Sequence, residues 1–473
     1  LKKENHYLMK KRHFNKLMMP LCALLFSGMG YSQQGFVHES SDGYVWPEEK
    51  AVREKLSEWQ DLKFGVLLHW GLYSVPGIVE SWSICSEDVD WIPRDSTMKY
   101  EEYKKWYWGL KDLFNPEQFN PEQWSRVMEQ AGMKYAIFTT KHHDGFNLFD
   151  TRESDFSIAK GPFANHPRAD VARYVFDAFR QKDFMVGAYF SKPDWHSQYY
   201  WWDYFATPNR NVNYRIERHP QRWEKFKQFT FNQIEELMTR YGEIDILWLD
   251  GGWVAPPRQE INMDKIAAMA REHQPDLLIV DRTIRGRHEN YQTPERSIPE
   301  KQLTHPWESC IPLSSDWGWI PDAKFKTADQ VAALLIEVVA KGGNLLLGVG
   351  PTPEGIIQPE VEEILKEVGV WLDTNGEAVY QARITPHYRS GNIWFTAHKE
   401  KPLMYAHLLP DTAGELPAAI EWEGNRPAKG SRVVLLETGK KMKWVSNGDR
   451  TRVFLPRKLQ KSSMPLVFAF EPE

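Results

Sequence analysis

Ile244 to Trp253 reads IDILWLDGGW, and the fold turns on how this stretch is understood. Five of the six residues before Asp250 are apolar or aromatic. The run is too short for a helix and too apolar to face water, so it reads as a buried strand. It closes on an acid. Gly251 and Gly252 follow, letting the backbone turn sharply and leaving space beside the carboxylate. Parallel α/β proteins carry their chemistry on residues at the exits of such strands. The competing reading is an aspartate that caps the next helix. Whether other strands end the same way decides between the two.

Several do. Lys63 to Trp70 (KFGVLLHW) is apolar and ends on His69, with Glu80 and Trp82 in the loop beyond. Lys134 to Thr140 (KYAIFTT) runs into His142 and His143. Phe184 to Phe190 (FMVGAYF) ends at Ser191, and Leu277 to Val280 runs into Asp281 and Arg282. Asn344 to Val349 is a last strand of this kind. Helical patterns separate them. Asn120 and Pro121 open one helix as N-cap and first-turn proline, and Gly132 closes it. Asp170 is expected to cap a second, and Gly242 ends a third covering roughly 221–241. Another lies near 263–273, and Thr327 with Gln330 forms a capping box ahead of 331–340. Residues 83–115 read as a polar, aromatic elaboration, and 283–299 as a polar loop holding Glu289 and Glu295. Strand–helix alternation over roughly 300 residues implies a parallel sheet with right-handed crossovers. The length favours an irregular (β/α)8-like barrel, which gathers the strand ends on one face, over an open sheet with a crevice.

From about Arg383 the pattern changes to short strands near 393–397, 404–408, 433–436, 444–445, 453–455 and 466–470. Asn447-Gly448 is a hairpin turn signal. This tail reads as an all-β sandwich. The expected organisation is a signal peptide at 1–32, a catalytic barrel at 33–383 and a β-sandwich at 384–473. The export reading rests on Lys10, Lys11, Arg12 and Lys16 after Met9, the apolar run Leu17 to Met29, and small residues up to Ser32. That run is too short for a stable membrane span and no later one is longer, so an exported protein, periplasmic or secreted, is expected.

With 473 residues, a net charge of -5 and no basic tract, nucleic acid is excluded as an expected partner. The 21 tryptophans exceed what a core needs, and surplus indoles either stack on sugar rings or pack locally. That choice is open for the aromatic loop 195–205. Cys85 and Cys310 could form one disulfide, but there is no disulfide framework. No Cys/His spacing suits zinc, and no metal or cofactor is expected.

Two imidazoles, an arginine and a carboxylate thus converge, with further glutamates on loops. Adjacent His142 and His143 point to opposite sides wherever the strand is regular, which would make one of them structural. Metal-dependent hydrolysis would call for His-x-His on the first strand, which is missing. Glycoside hydrolysis by two carboxylates fits, as does sugar binding without catalysis. Retention requires carboxyl groups about 5–5.5 Å apart, one a nucleophile and one an acid/base.

Five blocks carry a resemblance: KFGVLLHWGLYSVPG (63–77), KYAIFTTKHHDGF (134–146), WLDGGW (248–253), YQTPE (291–295) and KGGNLLLGVGPTPEG (341–355). In this order they resemble the α-L-fucosidases of glycoside hydrolase family 29, over about 45–383. The resemblance implies a retaining exo-glycosidase, on an irregular barrel with a β-sandwich behind it, acting on fucosylated glycans. It implies Asp250 as nucleophile and Glu295 as acid/base, with Glu289 the runner-up. It implies that His69, Glu80, Trp82, His142, His143, Tyr189, Trp248 and Arg282 line the sugar. The acid's pKa should be raised, as its role requires. Two alternatives accompany this reading: a non-catalytic fucose-binding protein on the same barrel, and a retaining glycosidase for a related sugar such as galactose.

Overall fold

The computed structural model describes residues 43–85, 92, 94, 97–202, 209–411, 416–456, 459 and 462–473. The expected export segment, and Tyr204 and Phe205 of the aromatic loop, lie outside the described residues. Seven parallel strands form the first sheet: β1 (Phe64–Leu68), β2 (Tyr135–Lys141), β3 (Met185–Ser191), β4 (Ile246–Asp250), β5 (Leu278–Asp281), β6 (Glu308–Pro312) and β7 (Asn344–Val349). Their order is β5-β4-β3-β2-β1-β7-β6, and every pairing is parallel.

Between β5 and β6 the ring is completed by an irregular segment. Glu289 bridges antiparallel to Val280 of β5, while Gln292 and Glu295 bridge in parallel to Trp307 and Cys310 on the other side. Two prolines near the bridges, Pro294 and Pro306, cannot donate to a ladder, which explains why no regular eighth strand forms there. The barrel is therefore irregular in the sense expected: seven regular strands and one broken seam.

Helix α1 (Lys50–Leu62) plugs one end of the barrel. Its buried residues Val52, Leu56 and Trp59 join a cluster with the interior side chains Tyr135, Tyr189, Trp248, Tyr291 and Cys310. Trp59 lies flat on Tyr291, with ring centroids 3.9 Å apart. The outer layer is built by α2 (Tyr100–Gly109), α3 (Pro121–Gln130), α4 (Val171–Arg180), α5 (Pro220–Arg240), α6 (Met263–His273), α7 (Ala328–Ala340) and α8 (Pro359–Asn375). Asn120 caps α3 as expected, accepting from the Gln123 amide. Asp170 does not cap α4: its carboxylate is taken by the Asp150 amide, the Tyr241 hydroxyl and Arg173. No helix among the described residues is long and apolar enough to cross a membrane.

The second sheet is antiparallel and comprises β8 (Ala382–Arg383), β9 (Arg389–Ser390), β10 (Ile393–His398), β11 (Met404–Leu408), β12 (Ala419–Glu423), β13 (Val433–Leu435), β14 (Lys440–Asn447), β15 (Arg450–Phe454) and β16 (Leu466–Phe470). Its strands, apart from β9, which pairs beside the path with β10, form one hydrogen-bonded path that folds at β14. The first half of β14 pairs with β13 and its second half with β15. Trp422 of β12 consequently packs against Phe395 of β10 and Phe470 of β16 on the facing layer. The hairpin at Asn447-Gly448 is formed, with Gly448 at φ 60°.

Sequence reading missed α2, inside the stretch taken as elaboration, together with β6, α8 and the tail strands β8, β9 and β12. The possible disulfide is not formed: Cys85 and Cys310 are both buried and both thiols.

Candidate active site

Asp250 ends β4, and Ser191 of β3 sits beside it in register. Gly251 turns the chain at φ 87°, and a Cβ there would run into the Pro193 ring. A Cβ on Gly252 would collide with Thr283. Both glycines are therefore required by crowding around the carboxylate rather than by a helix cap. Asp250 Oδ1 accepts from Arg282 Nη1 at 2.8 Å and from the Gly251 amide at 2.8 Å. Its Oδ2 accepts from the Tyr189 hydroxyl at 2.7 Å and lies 3.7 Å from His143 Nε2.

Arg282 links two acids. Its Nη1 holds Asp250, and its Nη2 donates to Glu295 Oε2 at 2.8 Å. Its Nε donates to Thr293 Oγ1, and its guanidinium carbon lies 4.3 Å from the centroid of the Trp248 ring. With Nη2 also 3.8 Å from Cys310 Sγ, the fork is fixed by four hydrogen-bond partners and an aromatic floor. Glu295 Oε1 accepts from Trp317 Nε1 at 3.2 Å. The Asp250 and Glu295 side chains stay about a fifth and a third exposed, although Arg282 between them is buried. Two reachable carboxylates on one sequestered cation are what two-carboxylate chemistry needs.

The histidines surround this pair. His69 leaves β1 with its ring against His142, Tyr189 and Trp317, and its Nδ1 is 3.1 Å from Thr139 Oγ1. His142 and His143 do not point to opposite sides. The register shifts between Thr139 and Lys141, the strand ends, and both rings enter the cluster 4.3 Å apart. His142 Nδ1 bonds Ser81. Trp82, Trp195 and Trp253 wall the far side of His143, and Arg210 lies over Trp82 and Trp253.

Burial pushes His69 down to about 3, against the Asp250 charge. It pushes His143 down to about 4 and His142 well below the usual imidazole range. All three rings are neutral near pH 7, so each offers one donor and one acceptor. Burial alone would raise the Asp250 carboxyl, but Arg282, His143, Tyr189 and the Gly251 amide outweigh it and hold the group well below the carboxylate range.

The structure thus brings together Asp250, Glu295, Arg282, His69, His142, His143, Tyr189 and Trp82. Three expected residues sit differently. Glu80 is buried and uses its Oε1 to hold the Trp317 and Gly318 amides, at 2.8 and 3.0 Å. Burial lifts its pKa to about 7, against Arg296 and the Gly318 amide. Trp248 is 1% exposed beneath Arg282 and forms a floor. Glu289 is turned back on its own loop, accepting from the Thr283 amide at 3.1 Å, and burial lifts it to about 7. Trp317 was missed; its one local signal was the aromatic run Trp317-Gly318-Trp319. The aromatic loop divides: Trp195, Tyr200 and Trp201 are buried, whereas Tyr199 is exposed.

A parallel barrel with two accessible carboxylates on one guanidinium, ringed by neutral imidazoles and indoles, is the architecture of a glycoside hydrolase. A model of the α-L-fucosidase family matches residues 32–377. Plasma α-L-fucosidase of Rattus norvegicus is 31% identical over 390 residues, spanning 76% of this chain and 79% of that protein. α-L-Fucosidase isoenzyme 1 from Paenibacillus thiaminolyticus superposes with a TM-score of 0.74 at 28% identity, over 89% of this chain and all of that one. Thermotoga maritima α-fucosidase, solved in complex with fucose, gives a TM-score of 0.71 at 25% identity, over 90% of this chain. The chain belongs to the α-L-fucosidase family.

Proposed function

We propose that this chain releases terminal L-fucose from fucosylated glycans with retention, Asp250 serving as nucleophile and Glu295 as acid/base. The observation that carries the assignment is the Arg282 fork, which touches both carboxylates while leaving each partly open to solvent. Asp250, held ionised, attacks the anomeric carbon while Glu295 gives its proton to the departing glycosidic oxygen. The glycosyl ester on Asp250 is then hydrolysed by water, which the ionised Glu295 deprotonates. Across these steps the negative charge passes from Asp250 to Glu295, and Arg282 faces one carboxylate throughout.

Geometry supports Glu295 over Glu289. A carboxyl titrating near 7 is what an acid/base wants, and Glu289 has that value. But the Glu289 carboxylate is turned back on its own loop toward the Thr283 amide, whereas Glu295 shares the Arg282 fork with Asp250. Position comes before pKa in choosing a proton donor. Neutral His69, His142 and His143 suit sugar hydroxyls, which both donate and accept. His143 Nδ1 is buried and has no partner among the described residues. The indoles of Trp82 and Trp253 supply apolar surface for the sugar face and the C5 methyl. We further place a signal segment at 1–32, the catalytic barrel at 33–383 and the β-sandwich at 384–473, in an exported enzyme.

The test uses an aryl α-L-fucoside and fucosylated oligosaccharides. Asp250→Gly should abolish turnover, and added azide should restore part of it by filling the nucleophile's space. Glu295→Gln should slow the oligosaccharides far more than the activated aryl fucoside, whereas Glu289→Gln should treat both alike. Fucose binding without turnover in the parent protein would replace this reading with a binding protein.

A further inference from the structure

Below the catalytic layer, the barrel interior holds an acid that the mechanism above does not use. Glu308, on β6, is fully buried. Its Oε2 accepts from the Tyr135 hydroxyl of β2 at 2.8 Å, and its Oε1 from Trp248 Nε1 of β4 at 3.1 Å. Tyr291 of the closing segment and Cys310 of β6 lie in the same interior cluster, and Arg282 is the cation whose field Glu308 feels. That guanidinium rests on the indole whose N–H Glu308 holds. A carboxyl group sealed in a barrel costs stability compared with an apolar side chain of its size, so its presence calls for a role beyond packing.

We propose that Glu308 is a positioning residue for the reaction: by gripping the Trp248 N–H it fixes the plane on which Arg282 lies, and through Arg282 the mutual placement of Asp250 and Glu295. The chain of contact is continuous, from Glu308 to the indole, from the indole face to the guanidinium, and from the two ends of the fork to the two carboxylates. None of its first three members needs to touch the substrate. The inference rests on the assignment of Asp250 and Glu295 given above. Glu308 also has an electrostatic lever. Burial lifts its pKa to about 7. Ionised, it sets a further negative charge under Arg282.

The experiment is a double-mutant cycle on the full chain with an aryl α-L-fucoside. Glu308→Gln keeps the volume but presents an N–H to one of its two donors. Trp248→Phe keeps an aromatic floor under Arg282 and removes the N–H. Each single variant should lower kcat by about 10- to 100-fold, the usual cost of a small misplacement of reacting groups. KM should change little, because the substrate is not touched. The double variant should lose no more than the worse single one. In Glu308→Gln, loss of the charge under Arg282 should displace the pH profile of kcat/KM from that of the parent. Additive losses, or a fall in Tm with kcat and the pH profile unmoved, would reduce Glu308 to a core residue and overturn the proposal. Should Glu308→Gln fail to fold, Trp248→Phe still decides: parental kcat and pH profile in that variant refute it. Failure of the underlying assignment has a different signature, the absence of azide rescue in Asp250→Gly.

Discussion

Arg282 is the residue on which the site's electrostatics converge. Its fork serves Asp250 and Glu295 with separate nitrogens, and a lysine ammonium on a flexible stem cannot reproduce that geometry. Arg282→Lys should lower kcat/KM by about 100-fold or more, in line with the loss of an oriented charge partner at a reacting centre. It should also blunt the leaving-group dependence that marks Glu295 as the acid. Measurement of both fucoside classes checks this, and a variant within about threefold of the parent would show that charge without orientation suffices. At this scale the sequence was informative where a side chain closed an apolar run. His69, His142, His143, Asp250 and Arg282 all announced themselves in that way. Trp317 did not, because the strand before it does not read as a strand. Glu295 was reached through the resemblance of its block, not through any periodicity. The roles of Glu80 and Trp248 depend on what lies above them in space, the Trp317 backbone and the Arg282 guanidinium, and no local pattern encodes that.

Among the elements, the broken seam and the plug helix belong together. The segment from Glu289 to Glu295 has too few ladder bonds to hold itself, and it carries the proposed acid/base. The flat stack of Trp59 of α1 on Tyr291 supports it from inside the barrel. Trp59→Ala should cost about 3–5 kcal/mol, as for other buried aromatic truncations. The damage should be uneven: amide exchange should quicken around Tyr291 to Glu295 more than in β1 or β7, and kcat should fall though Trp59 lies far from the substrate. Uniform loosening would mean that the helix stabilises the barrel without holding the seam. This region was also the least legible. Glu308–Pro312 reads ESCIP, a short buried strand that opens on two polar residues and closes on a proline, so hydrophobicity gives no signal. Capping signals were right where the acceptor had no competitor, as at Asn120. They failed at Asp170, where tertiary donors took the carboxylate.

For the molecule as a whole, strand–helix alternation and then short alternating strands were sufficient to reveal a barrel followed by an antiparallel sheet, because periodicity is set by burial on one face or two. The balance of buried titratable groups was not visible, since it depends on long-range packing. Five histidines, His69, His142, His143, His305 and His407, are pushed down by burial. Four carboxyls, Glu80, Asp144, Glu289 and Glu308, are pushed up to about 7 by burial. The two sets act with opposite sign. The unfolded chain takes up protons on its histidines below about pH 6.5 while the folded chain does not, so their contribution is lost as pH falls. The folded chain keeps protons on the raised carboxyls that the unfolded chain has released, so their contribution is lost as pH rises from about 4.5 to 7. Between about pH 5 and 6.5 the slopes cancel, and Tm should be nearly flat. Below about pH 4.5 the unfolded carboxyls regain their protons, and with them an Asp250 that the folded chain keeps ionised. Stability should then fall steeply. Calorimetry from pH 3.5 to 8 checks this, and Glu308→Gln adds a signed control. Removing one raised carboxyl should tilt the plateau so that Tm rises with pH across it. A plateau left level by that variant, or a steady climb in the parent, would mean that the buried acids are already ionised in the folded chain.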